Sequence, residues 1–207
     1  MKICIPFYGN ANADIMRACV QSIRKHMPAL EVHQWTDLDT PLLADSCTRM
    51  KVPNYAEFMH LQMYAMPEEP YIRCDSDVVF QDSVLPVFDA DFDLATAPHG
   101  DARVAATMIG RMYPLTGAVT FYKHKIHEFA EDMILAYSRT RRDGWMDTQF
   151  AFNVVCRSGK YRVLKLDAHQ YNYTPVTKDD RPASAKLIHY KGKRKAWMLD
   201  APTAATA

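Results

Sequence analysis

The sequence predicts an α/β domain built on a mainly parallel sheet with helices on both faces. Three observations carry that expectation. Short apolar runs alternate with helical periodicities from end to end, no repeat or linker interrupts them, and 207 residues with 48% apolar content suffice for one buried core.

Taken in order, Ile3 to Phe7 is a short apolar run that reads as a buried strand. Asp14 then opens a stretch with Ile15, Ala18, Cys19, Ile23 and Met27 at helical spacing, stopped by Pro28. Glu31 to Thr36 reads as a second strand, closed by the polar turn from Asp37 to Pro41. Tyr55 to Met66 has helical apolar spacing and ends at Pro67. Tyr71 to Cys74 is a third strand, and Val78-Val79-Phe80 resumes the apolar run after an acidic pair. Farther on, Asp93 to Ala97 and Gly117 to Tyr122 read as strands, His127 to Tyr137 and Asp147 to Val155 as helices, and Tyr161 to Leu166 alternates with period two. In sheets of this kind ligands sit beyond the carboxyl ends of the strands, which sets Tyr8, Asp37 and the Asp75/Asp77 pair on one rim.

Bulk properties narrow the function. A formal net charge of +1 argues neither for nor against a nucleic-acid partner. The five cysteines are scattered without metal-finger spacing, so buried reduced thiols and a cytoplasmic location are expected. Residues 1–6 lack the apolar stretch of a signal peptide, and no run of about twenty apolar residues offers a membrane span. Lys123, His124 and Lys125, with Arg139, Arg141 and Arg142, form two basic clusters that read either as solvated surface or as contacts to a phosphate-rich acceptor.

Asp75-Ser76-Asp77 is the first candidate site. Residues two apart on an extended chain point the same way, so both carboxylates can reach one hard divalent cation. The same spacing recurs at Asp37/Asp39, Asp89/Asp91 and Asp91/Asp93, and a solvated acidic turn fits it equally well. What separates Asp75/Asp77 is its position between two apolar runs. A second candidate is the segment from Leu187 to Trp197, with His189, Gly192, Lys195 and Trp197 at H-x-x-G-x-x-K-x-W spacing. A histidine can ligate Mn²⁺, a glycine lets a phosphate approach the backbone, and a lysine supplies a point charge.

That segment resembles the closing H-x-x-G-x-x-K-P-W motif of the glycogenin-like and lipopolysaccharide galactosyltransferase-like retaining glycosyltransferases, with Ala196 in place of the proline. Met66 to Val79 is similar to their helix, strand and D-x-D passage, Leu115 to Val119 to their N-S-G-V strand, and Asp147 to Asn153 to their D-Q-D-x-L-N helix. The matches occur in the family's order over nearly the whole chain. Leu115 stands where the family carries a donor-contacting Asn, Phe150 replaces the second acid of the D-Q-D helix, and Arg73 adds a charge two residues before Asp75.

The resemblance implies a GT-A fold with one Rossmann-like, mainly parallel sheet over residues 1–200, followed by a flexible tail over 201–207. It implies transfer of a sugar from a nucleoside-diphosphate donor, a UDP-sugar first, to a saccharide or glycoconjugate, with retention. Asp75, Asp77 and His189 would hold the metal, Mn²⁺ with Mg²⁺ as the alternative. Gly192 and Lys195 would meet the diphosphate, while Tyr8, Asp37, His60 and Gly117 would contribute to donor binding. Asp147 and Gln149 are the catalytic candidates, to orient the sugar and support charge at its anomeric carbon. The chain is short for that family, so a partner or oligomer surface is expected to complete the acceptor site. Two other readings stay open: a sugar transferase that modifies nucleic acid, and a noncatalytic nucleotide-sugar binding module. A nucleotidyltransferase is disfavoured, because Tyr8-Gly9-Asn10-Ala11 supplies one glycine where a glycine-rich loop is needed.

Overall fold

The computed structural model describes residues 1–139 and 145–200, so Arg141, Arg142 and the tail over 201–207 lie outside the described residues. The first strands are β1 (Lys2–Pro6), β2 (Glu31–Asp37), β3 (Ser46–Met50), β4 (Tyr71–Cys74) and β5 (Val78–Phe80). They are followed by β6 (Leu94–Pro98), β7 (Leu115–Tyr122), β8 (Val163–Lys165) and β9 (Leu187–His189). Among the described residues seven of these form one sheet in the order β3-β2-β1-β4-β7-β6-β8, and β5 pairs with β9 in a second, two-stranded sheet. All neighbours in the large sheet run parallel except β7, which is antiparallel to both β4 and β6. The mainly parallel α/β architecture stands; the small β5-β9 sheet is an addition to it.

The helices are α1 (Ala13–His26), α2 (Tyr55–Leu61), α3 (Ala102–Ala106), α4 (Met108–Met112), α5 (Ile126–Ser138), α6 (Trp145–Cys156), α7 (Ala168–Tyr171) and α8 (Lys195–Leu199). In α1, Ile15, Met16, Cys19, Val20 and Ile23 form one buried stripe, with Asp14 in the first turn and Arg24, Lys25 and His26 in the last to complement the helix dipole. That stripe and Met198 of α8 belong to one core cluster with Ile3, Ile5 and Ile72 of the sheet. A second cluster joins Phe58 of α2, Phe129 and Met133 of α5 and Phe152 of α6 to Cys4, Trp35, Tyr71 and Tyr122. The alternate residues of the central strands therefore feed two cores, one on each face.

One expected helix ends early, and edge strand β3 is among the elements that the sequence pattern does not announce. The helix expected over 55–66 begins under the Asn54 side chain, which accepts from Glu57 N at 3.0 Å, but gives way after Leu61 to a 3-10 turn, Gln62–Ala65. Met66 precedes a proline, and that neighbour disfavours the helical region; Met66 is extended, with φ −62° and ψ 133°. Strand β3 carries little apolar pattern because it lies at the sheet edge and is largely uncovered. Arg49 on it closes the adjoining turn through hydrogen bonds to the carbonyls of Asp37, Leu38 and Thr40, at 3.0, 2.8 and 3.1 Å. No helix among the described residues is long and apolar enough to cross a membrane.

Candidate metal centre and donor cleft

The reversed direction of β7 brings its first residues to the rim where β4 ends. Asp75 N donates to Ala118 O at 2.7 Å, which fixes the acidic loop against β7. The chain then turns directly into β5, whose Val78 is paired with His189 on β9, and Tyr190 N donates to Asp77 O at 2.9 Å. A strand pairing across more than a hundred residues of sequence thus carries the histidine to the carboxylates. One ligand atom each from Asp75, Asp77 and His189 lies within 4.8 Å of the others.

Hydrogen bonding determines which nitrogen of His189 faces the cluster. Pro98 O can only accept, so the Asn172 amide nitrogen, 2.7 Å away, donates to it. This turns Asn172 Oδ1 toward His189 Nδ1 at 2.9 Å, and Nδ1 therefore carries the proton. The lone pair of Nε2 is left 3.2 Å from Asp77 Oδ1. Two acceptors that close are satisfied by a proton on the ring or by a cation between them. An oxygen-oxygen-nitrogen donor set with a hydrogen-bonded outer partner on its histidine suits a divalent cation.

Cations balance the carboxylates. Lys195 Nζ lies 3.1 Å from Asp77 Oδ2, and Arg73 NH1 lies 2.9 Å from Asp75 Oδ1 while also donating to Gly117 O. Burial would raise the Asp77 carboxyl, but His189 and Lys195 together outweigh it and hold it well below the usual carboxylate range.

These groups line an open cleft of about 520 Å³. Thr116, Gly117, Thr148 and Gln149 line it as well, and Tyr55, Phe58 and Met63 add apolar surface. Two side chains of α6 fasten that helix to β7. Asn153 accepts from Leu115 N at 3.0 Å and donates to Leu115 O at 2.9 Å, and the Gln149 amide bonds to Leu115 O and, at 3.4 Å, to Gly117 N.

Of the residues singled out from sequence, the cleft gathers Asp75, Asp77, His189, Gly117, Gln149, Gly192 and Lys195. Asp147 is buried in the first turn of α6, one residue from the lining residue Thr148. Tyr8 packs against Tyr55 and Phe58, at centroid distances of 5.9 and 5.4 Å. Asp37 lies in the adjoining turn, where its carboxylate accepts from Thr40 N at 2.7 Å. His60 is outside the cleft lining and stacks on Tyr137 at 4.6 Å. In the basic cluster, Lys123 donates to the carbonyls of Phe88 and Ala90, and Lys125 to that of Lys160. Three residues that sequence reasoning passed over matter here: Asn172, which orients His189, and Lys191 and His99, which line the cleft. Lys191 had a signal in its position between His189 and Gly192; the other two had none.

No protein-family model matches the chain, and no curated protein matches it by sequence. Solved structures do. The galactosyltransferase LgtC, in complex with donor and acceptor sugar analogues, aligns with a TM-score of 0.59 at 12% identity, covering 100% of this chain and 98% of that one. An active-site glutamine-to-glutamate mutant of LgtC aligns at 0.56, with 14% identity over 93% and 88% of the two chains. The bifunctional glycosyltransferase WbbM aligns at 0.65, with 11% identity over 93% of this chain and 46% of its own. GlyE of Streptococcus pneumoniae aligns at 0.64, with 13% identity over 97% of this chain and 62% of its own. At these identities the likeness speaks for architecture, and it is architecture over almost the whole chain: this protein has the GT-A fold of these glycosyltransferases.

Proposed function

We propose that the protein is a metal-dependent, retaining glycosyltransferase that moves a sugar from a nucleoside diphosphate, UDP first, to a saccharide or glycoconjugate. The observation that carries this reading is the convergence of Asp75, Asp77 and His189 with Lys195 in a cleft that Gln149 also lines. A divalent ion on those three ligands, Mn²⁺ by their mixed oxygen and nitrogen chemistry, would offset the negative charge that grows on the leaving diphosphate.

The chain's own residues supply the rest. Lys195 offers a second positive charge to the diphosphate, and Gly192, at φ +58° with open space at its Cβ position, lets the phosphates approach the backbone. Gln149, locked onto β7, and Asp147 in the first turn of the same helix, α6, orient the donor sugar and support positive charge at its anomeric carbon. The mutant LgtC structure, in which an active-site glutamine was changed, supports a role for an amide in such a cleft. Tyr8 and Asp37 are the candidates for contacts to the base and ribose, supported by their position near the ends of the first two strands. Retention follows from the resemblance alone. The free thiols of Cys4, Cys19, Cys74 and Cys156, all buried, agree with a reducing cytoplasmic setting.

The test is hydrolysis of a panel of nucleoside-diphosphate sugars with Mn²⁺, comparing wild type with Asp77→Ala and His189→Ala. Loss of turnover in both variants is expected, and wild-type turnover in both overturns the metal-site assignment.

A further inference from the structure

A second pocket adjoins the donor cleft. It has a volume of about 500 Å³, is walled by Arg103, Val176, Lys191, Lys193, Arg194 and Trp197, and shares Lys191 and Gly192 with the cleft. At Gly192 nothing lies within 4 Å of a Cβ position, so no side chain of that residue stands between the two.

The electrostatics of this pocket are one-sided. Four of its lining side chains are cationic and none is acidic, and Asp101, which pairs with two of them, is already bound. Asp101 Oδ1 accepts from Arg103 N at 3.0 Å and from Arg103 Nε at 3.4 Å, while Oδ2 accepts from Arg194 at 2.9 Å. The contacts hold both guanidinium groups in place without removing the excess positive charge. Lys191 and Lys193 make no ion pair with any described residue. Lys191 is half-buried. An unpaired, partly desolvated ammonium is costly unless an anion comes to it. Trp197 and Val176 add apolar surface of the kind that meets the C–H face of a sugar ring.

We propose that this pocket is the acceptor subsite and that the acceptor is an anionic saccharide, bearing a phosphate or carboxylate group that Arg103, Lys191 and Lys193 recognise. The proposal rests on the glycosyltransferase reading and names its substrate class. In the transfer, an acceptor hydroxyl oxygen forms the new bond to the donor's anomeric carbon. The bond from that carbon to the diphosphate breaks, its electron pair leaves with the diphosphate, and the hydroxyl proton passes to the departing phosphate oxygen. Cations of the adjoining pocket would hold the acceptor's anionic group away from the diphosphate while its hydroxyl faces the cleft.

The test is calorimetric titration of the full chain, saturated with Mn²⁺ and UDP, with glucose 6-phosphate, glucuronate and glucose. Each anion is expected to bind about tenfold more tightly than glucose, reflecting its charge-assisted hydrogen bonds. The exposed pair Arg103→Ala with Lys193→Ala should abolish that preference while leaving Mn²⁺-UDP affinity unchanged. Equal affinity for all three probes, or an undiminished preference in the double variant, overturns the proposal. If wild type fails to bind Mn²⁺-UDP, the donor reading falls; an anion preference that persists without nucleotide and vanishes in the double variant would still support an anionic-saccharide pocket.

Discussion

Asn172 Oδ1 lies 2.9 Å from His189 Nδ1 and is the contact that points the other ring nitrogen at Asp77. The amide makes no contact with the acidic pair itself. Its part is to hold the tautomer and the ring plane, as outer partners of metal-bound histidines do.

Asn172→Ala is therefore expected to lower Mn²⁺ affinity about 10- to 100-fold, in the range typical of such outer partners. Asn172→Asp, which retains an oxygen acceptor, should recover much of the loss. Calorimetric titration of Mn²⁺ reads this directly, and wild-type affinity in the alanine variant would remove Asn172 from the site.

Lys195 pairs with Asp77 Oδ2 at 3.1 Å, and a diphosphate would compete for the same ammonium. Its charge counts most where negative charge develops. Lys195→Ala should thus lower kcat by about 100-fold, the scale of losing one group that stabilises developing charge, with a smaller change in donor KM. A rise in KM at constant kcat would assign Lys195 to ground-state binding instead.

How far sequence alone could reach is visible at this site. The acidic pair was legible because Tyr71–Cys74 and Val78–Phe80 are buried strands whose apolar runs mark its place. His189 was legible only through motif spacing, since β9 is three residues long and its pairing with β5 has no local signal. Asn172 was not legible at all. Its partners, Pro98 and His189, are 74 and 17 residues away, and an asparagine beside a one-turn helix looks like any cap. For α2 the apolar period indicated a helix, but which way His60 turns was settled by stacking on Tyr137 of α5. Edge strand β3 escaped for a third reason: little of it needs to be apolar.

Away from the cleft, the buried Asp93 carboxylate ties β8 to β6. Arg162 donates to it from its backbone N and its NH2, both at 2.8 Å, and Lys125 lies 3.7 Å away. Burial would raise this carboxyl, but Arg162 and Lys125 outweigh it and lower its pKa below the ordinary 3.8. A depressed carboxylate stabilises the fold fully above its unfolded value, and the contribution fades as pH falls through the folded value. Asp93→Asn should therefore lower Tm at pH 7 by roughly 3–6 °C and flatten the acid limb of the stability curve below about pH 4. Thermal melts from pH 2 to 8 check both effects; an acid limb as steep as that of wild type would show that Asp93 is not among the groups that protonate there.

The backbone behind Asn172 is coupled to a glycine. A Cβ on Gly100 would fall 1.8 Å from Asn172 O and 3.3 Å from Thr174 N, so Gly100→Ala forces residues 172–174 to move. Overpacking of this kind costs about 1–3 kcal/mol, and here it also displaces the amide that orients His189. The expected result is a lower Tm together with weakened Mn²⁺ binding, although Gly100 lies outside the ligand set. Gly117→Ala is the control: its methyl would meet nothing closer than Gln149 Oε1 at 3.9 Å, so Tm should hold within about 2 °C. A Gly100→Ala protein with reduced Tm but unchanged Mn²⁺ affinity would mean that the strain relaxes without reaching His189, and that the Asn172 contact tolerates a shift in its backbone.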